Sequence, residues 1–267
     1  MGRPDFSAAH AVLRGHHEQH RLSGVSTLVF ERGGEVVDEL CIGQAEIEQA
    51  RALRPDHIHR AFSNTKLITA VMTLMLVDEG RMALDDPIKQ WIPAFGATRV
   101  LLPRATSLDD TEPLARDITV RHLLTHTAVL SHGVFDPGTM IYKAYDASGL
   151  RRPDCSTAMI AERLPALPLL FQPGEGWEYS MGPDVLARLV EIVTGQRYVE
   201  ALQQRLFGPL DMVDTGYVLR PAQVPRLAAL YGADHALVIE SAPGERTTVS
   251  FSIPIQQGDC CYESVHH

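Results

Sequence analysis

Two hydrophobic periods alternate along the chain, and each marks a kind of element. Phe6, Ala9, Val12 and Leu13 recur at helical spacing and predict an amphipathic first helix. Two β-branched runs follow, Val25 to Glu31 and Glu35 to Ile42, and Gly33-Gly34 between them predicts a hairpin with a tight turn. The polar stretch from Gln44 to Arg60 reads as a loop with some helical character. From Ser63 to Gly80 the period returns to that of a helix, with Leu67, Ala70, Val71, Leu74 and Met75 on its apolar side and Glu79-Gly80 as its stop. Pro87 and Pro93 cut the next segment into short pieces, and Thr119 opens a short capped helix. The rest of 98–155 is rich in loop residues. "GPDVLARLVEIVTG" and "YVEALQQRLFGPL" predict two more helices, each stopped by glycine. Beyond Tyr217, "YVL", "LAALY" and "ALVIE" read as strands.

The order strands, helices, strands predicts an α+β fold, a sheet lobe interrupted by a mostly helical insertion. Residues 1–97 form the first part of the sheet lobe with the Ser63 helix, 98–216 the helical lobe, and 217–267 the return to the sheet. At 267 residues the chain can bury a sizeable core. Its formal charge of −9 argues against nucleic acid or an anionic membrane as partner. No apolar run is long enough to span a bilayer, and the N-terminus lacks the apolar core of a secretory signal, so a cytoplasmic protein is expected. Cys41, Cys155, Cys260 and Cys261 form no CxxC pair, so neither a disulfide framework nor a zinc site is expected. His16, His17, His20, His57 and His59 lack the acidic or thiol companions of a metal site and read as surface histidines.

Candidate chemistry enters at "AFSNTKLITA", where Ser63 and Lys66 stand at i and i+3 and share one helix face. One reading is a cap, the hydroxyl accepting from a backbone N–H. The other is a nucleophile, because a neutral amine beside a serine hydroxyl can take its proton, and a helix start offers N–H groups to an oxyanion. The spacing alone leaves both open.

Four blocks widen the view: "AFSNTKLITAVMTLMLVDEGRMALDDPI", "ITVRHLLTHTAVL", "FQPGEGWEYSMGPDVLARLVEIVTGQ" and "LFGPLDMVDTGY". In this order they resemble the serine hydrolases related to class C β-lactamases and penicillin-binding proteins, most closely family VIII carboxylesterases, over about residues 20–250. The resemblance implies a β-lactamase-like fold, an antiparallel sheet flanked by helices plus a mostly helical lobe. It implies that Ser63 is the acyl-accepting nucleophile, Lys66 the general base, and Tyr179 the tyrosine that shares in proton transfer. Met181 stands where β-lactamases and peptidases of the family carry asparagine, and a thioether cannot make that amide's hydrogen bonds. The substitution shifts the expected substrate toward carboxylic esters. Trp177 is a candidate wall for an acyl pocket, His126 is expected to be a packed, hydrogen-bonded residue, and Asp184 and Glu191 are expected to be solvated or capping carboxylates.

The family's third motif, Lys-Thr-Gly or a His- or Trp-containing glycine equivalent, is not found, and the likeness fades after Val249. An incomplete sheet lobe and a missing second oxyanion donor are therefore expected. The expected activity is hydrolysis of short-chain acyl esters, without metal or organic cofactor, with homo-oligomerisation left open. The alternatives are a β-lactamase or D-alanyl carboxypeptidase, or a fold relative without activity.

Overall fold

The computed structural model describes residues 4–19, 22–132, 138–152 and 154–231. The chain divides into two units, 1–60 with 219–267, and 61–218.

In the first unit, helix α1 (Ser7–Glu18) is followed by strands β1 (Gly24–Phe30) and β2 (Val36–Glu46), which pair antiparallel from Gly24↔Gly43 to Phe30↔Val36. Gly34 takes φ +85 in the connecting turn, a conformation open to glycine at little cost. The predicted loop at 44–60 is in part a strand: β2 runs on to Glu46, and β3 (Arg51–Ala52) returns against it with Gln44 opposite Ala52. Its polar sequence hides a strand whose backbone partners lie on β2. The sheet order is β1-β2-β3.

α1 has no fully buried residue, and its half-buried positions are His10, Leu13 and Gly15 to His17 rather than Ala9 and Val12. The two histidines supply the polar links: His10 Nε2 lies 2.8 Å from Asp38 Oδ2, and His17 Nδ1 lies 3.0 Å from the Leu22 carbonyl.

The expected "YVL" strand does not form, a helical turn (Pro221–Arg226) follows it, and "LAALY" keeps isolated pairing in place of a strand, Leu227 with Ile58 in parallel. The Arg51 guanidinium donates to the Pro225 and Leu227 carbonyls at 2.6 and 2.9 Å, fixing this returning segment beside β3. "ALVIE", Cys260, Cys261, His20 and the region expected to carry the third motif lie outside the described residues.

In the second unit a 3-10 turn (Phe62–Asn64) runs into α2 (Thr65–Asp78). A short ribbon of β4 (Arg99–Leu101) and β5 (Thr111–Pro113) precedes α3 (Val120–Leu124), α4 (Met140–Ala147) and α5 (Thr157–Arg163). α6 (Gly182–Thr194) and α7 (Tyr198–Leu202) complete the set, α7 continuing as a π turn at Gln203–Phe207. α6 is central and packs against α2, α3, α5 and α7. Val185, Leu186, Leu189 and Val190 from α6 meet Met72 and Leu76 of α2, Leu123 of α3 and Leu202 of α7 in one core.

α2 turns a different face inward from the one its sequence predicts. Thr69, Met72, Thr73 and Leu76 are buried, while Leu67, Val71 and Leu74 are exposed. Both sides of this helix carry large apolar residues, so periodicity alone gives no direction. The cap at Thr119 forms as expected and is reciprocal: its hydroxyl accepts the His122 N–H, and His122 Nδ1 accepts the Thr119 N–H. Among the described residues no helix is long and apolar enough to cross a membrane.

Candidate active site

Ser63 sits in the 3-10 turn before α2, next to a strained neighbour. Phe62 holds φ +44, a conformation that costs a residue with a Cβ on the order of 1 kcal/mol or more. The turn leaves Ser63 exposed at the head of the helix, where backbone N–H groups lack intrahelical acceptors. Its hydroxyl lies 2.7 Å from Tyr179 OH, and Lys66 Nζ donates to it at 3.4 Å. Lys66 follows one turn later on α2, half-buried, with Nζ 4.8 Å from the centroid of the Tyr179 ring. The structure thus brings together Ser63, Lys66 and Tyr179.

Tyr179 is carried by an extended segment zipped to residues 126–131. The Glu178 N–H donates to the His126 carbonyl at 3.0 Å, and the Met181 N–H to the Ser131 carbonyl at 3.3 Å. The Ser180 N–H donates to His126 Nδ1 at 3.2 Å. Tyr145, fully buried on α4, accepts the Ser131 N–H with its hydroxyl and anchors the zipped pair from behind.

Three rings surround Tyr179 or extend from it. His126 stacks on it at 5.1 Å with planes 18° apart, His132 tilts against it at 5.6 Å, and Trp177 meets His126 edge-on at 6.0 Å. Trp177 is 64% exposed and reaches Tyr179 by way of His126. Met181 is only 4% exposed; it occupies the N-cap position of α6 and packs into the core.

The charges form a consistent pattern around Lys66. Burial raises the Tyr179 phenol, but hydrogen bonds with Lys66 and Ser63 and the lysine's charge outweigh it, and the phenol ionises below its ordinary range. Burial and then Lys66 keep His126 neutral to lower pH than an ordinary histidine. The same two causes, joined by Arg151, bring His132 down to about 4. Asp184, on the first turn of α6, is pushed up by burial, and Lys66 opposes that push. Glu191 accepts the Tyr198 N–H that opens α7 and the Thr157 hydroxyl, a capping role as its sequence position predicts. His132 and the ring contact of His126 were not visible in sequence. "THT" marks His126 as a candidate, but its contact with Tyr179 exists only once two distant segments are zipped. Among the described residues no cluster of three or more His, Cys, Asp or Glu side chains could hold a metal ion.

The family model described as Beta-lactamase matches residues 9–254. The chain belongs to the β-lactamase family. It is 36% identical over 214 residues to Esterase EstB of Burkholderia gladioli, covering 80% of this chain and 51% of the esterase. Acyltransferase calJ of Penicillium decumbens is 31% identical over 179 residues, 65% of this chain and 42% of that protein. In fold it is similar to unliganded selenomethionyl simvastatin synthase (LovD) from Aspergillus terreus. The TM-score is 0.71 at 24% identity, over 93% of this chain and 61% of that one. The chain therefore spans about half the length of the curated relatives it matches. The α+β architecture is β-lactamase-like, and within the β-lactamase family chain Ser63, Lys66 and Tyr179 occupy neighbouring positions in one unit.

Proposed function

We propose that this chain is a serine hydrolase that cleaves carboxylic esters through an acyl-enzyme on Ser63. The observation that carries the reading is the 2.7 Å contact between Ser63 Oγ and Tyr179 OH, with Lys66 Nζ at 3.4 Å from the same serine oxygen. The shorter distance favours the Tyr179 oxygen, once the phenol is ionised, as the immediate acceptor of the Ser63 proton, with Lys66 stabilising that anion. Ser63 Oγ then bonds to the ester carbonyl carbon, and the carbonyl electron pair moves onto oxygen. A backbone N–H at the head of the helix is the kind of donor that would stabilise this oxyanion. Collapse breaks the bond to the alkoxide, which takes the proton from Tyr179 and leaves as the alcohol. Water repeats the sequence on the acyl-enzyme, giving the carboxylic acid and free Ser63.

An ester is favoured over a β-lactam or peptide because Met181 supplies no amide at the position that holds asparagine in those relatives. The exposed rings of Phe62 and Trp177 suit an apolar acyl or alkoxy group. A second reading, transfer of the acyl group to an alcohol in place of water, draws on the resemblance to Acyltransferase calJ.

The test is incubation with p-nitrophenyl butyrate and with a fluorophosphonate, followed by mass spectrometry of the adduct. A label on Ser63, lost together with turnover in Ser63→Ala, supports the reading. Turnover that survives Ser63→Ala rejects it, and nitrocefin turnover faster than ester turnover reassigns the substrate.

A further inference from the structure

His126 binds the tyrosine segment in three ways. Its carbonyl accepts the Glu178 N–H, its ring lies flat against Tyr179, and its Nδ1 faces Ser180. The Ser180 N–H donates to Nδ1 at 3.2 Å, and Ser180 Oγ lies 3.0 Å from the same nitrogen. That hydroxyl accepts the Gly182 N–H at 3.2 Å, so its own proton is free to point at Nδ1. A nitrogen that accepts a backbone N–H bond carries no proton. The imidazole is therefore neutral, with its proton on Nε2. Ser180 is fully buried, so no water replaces these bonds if Nδ1 is lost. The backbone of His126 is held at φ +58, an uncommon conformation for a residue with a Cβ.

We infer that His126 is a positioning residue for acyl transfer: as the Nε2–H tautomer it fixes the Tyr179–Ser180 segment so that the phenol oxygen stays at Ser63 Oγ. This rests on the ester-hydrolase reading above. The titratable and charged groups around the ring are Lys66 of α2, Tyr179 itself, and His132 beyond the tyrosine ring. Burial and the Lys66 charge both oppose a proton on His126, in keeping with its role as an acceptor. A protonated ring would turn Nδ1 into a donor facing the Ser180 N–H, and the segment would have to move.

Two substitutions separate the ring from the acceptor. His126→Asn keeps an oxygen near the place of Nδ1 and tolerates the left-handed backbone, but loses the stack. His126→Phe keeps a flat ring against Tyr179 and leaves the Ser180 N–H and hydroxyl without an acceptor. The phenylalanine variant is expected to lose about tenfold or more in kcat for p-nitrophenyl butyrate, with KM changed less than about threefold. The asparagine variant should retain a larger share of kcat. The Tyr179 phenol, titrated by ultraviolet difference against Tyr179→Phe, should move up toward its ordinary range in His126→Phe.

On the unsubstituted full chain, 15N-histidine NMR should show an unprotonated Nδ1 and a protonated Nε2 for His126 at neutral pH. A protonated Nδ1 overturns the inference. So do a kcat and a Tyr179 titration that His126→Phe leaves unchanged. The NMR measurement decides the case if the phenylalanine variant does not fold. Failure of the ester-hydrolase reading has a different signature, turnover equal in Ser63→Ala and the parent chain, and the Tyr179 titration and the NMR measurement then still decide the role of His126.

Discussion

A serine hydroxyl at the head of a helix can cap the backbone or face outward, and at Ser63 the neighbouring groups decide. Its oxygen is drawn to Tyr179 and Lys66, whose side chains arrive from a different segment and from the next turn of α2. Spacing alone leaves Ser63 and Lys66 open between a cap and a site. The resemblance carried by their block and by that of Tyr179 singles the three out, because each sits inside a short stretch that needs no distant partner to be noticed. His132 was not legible, since nothing in its local sequence announces a tyrosine ring 5.6 Å away. The role given to Tyr179 leads to a specific expectation. Tyr179→Phe keeps a ring for His126 to stack on and for Lys66 to face, and removes only the oxygen. Ester turnover should fall by about 10²–10⁴-fold, the usual contribution of a positioned acid–base group. The melting temperature should stay within a few degrees of the parent, since the lost hydrogen bond is exposed. Turnover within a factor of two or so of the parent in steady-state kinetics would remove Tyr179 from the proton path.

Among the elements, those closed by their own termini were the easiest to read. α3 is announced by Thr119 and α6 ends at Gly195 with φ +72, both local signals that survive folding. The buried face of α2 and the strand pair at 44–52 differ from what the sequence predicts because their faces and partners are chosen by tertiary contacts. The crossing of α3 and α6 shows how such a contact positions the site. Gly182 opens α6, and a Cβ there would meet the Leu123 carbonyl at 2.9 Å and Ser180 Oγ at 3.2 Å. Gly182→Ala must push the two helices apart or move Ser180, and overpacking of this kind costs about 1–3 kcal/mol. Thermal melts should show the loss, and kcat should fall as well, because Tyr179 is coupled to Ser180. An alanine variant with parent kcat would mean that the crossing does not set the tyrosine. At the other end of α6, Glu191 joins three helices by accepting from Tyr198 N–H at 3.0 Å, Thr157 Oγ1 at 2.5 Å and Arg188 Nη1 at 3.0 Å. Glu191→Ala should cost about 1–3 kcal/mol while Glu191→Gln, which retains an acceptor, should cost less. Denaturant midpoints of the two variants test the order.

Over the whole molecule, acid should weaken the fold before the carboxylates titrate. Four histidines, His59, His122, His126 and His132, hold their protons less readily than a free imidazole. Burial is the leading cause in each, reinforced by His57 at His59, Arg116 at His122, and Lys66 at His126 and His132. In the unfolded chain these residues take up protons as the pH falls through about 6.5. Folded, they resist, and His132 resists down to about 4. Between those limits the unfolded state binds more protons than the folded one, so stability rises with pH through the window. The contribution is fully present above 6.5 and is lost as the pH drops toward 4, where the His132 part of the slope ends. His132→Gln removes the residue with the widest window. Its denaturant midpoint, followed from pH 7 to pH 4, should therefore fall less steeply than that of the parent chain, whatever its absolute value at pH 7. Parallel slopes for the two proteins would show that His132 protonates in the folded state as freely as in the unfolded one, and would refute the burial and Lys66 field assigned to it.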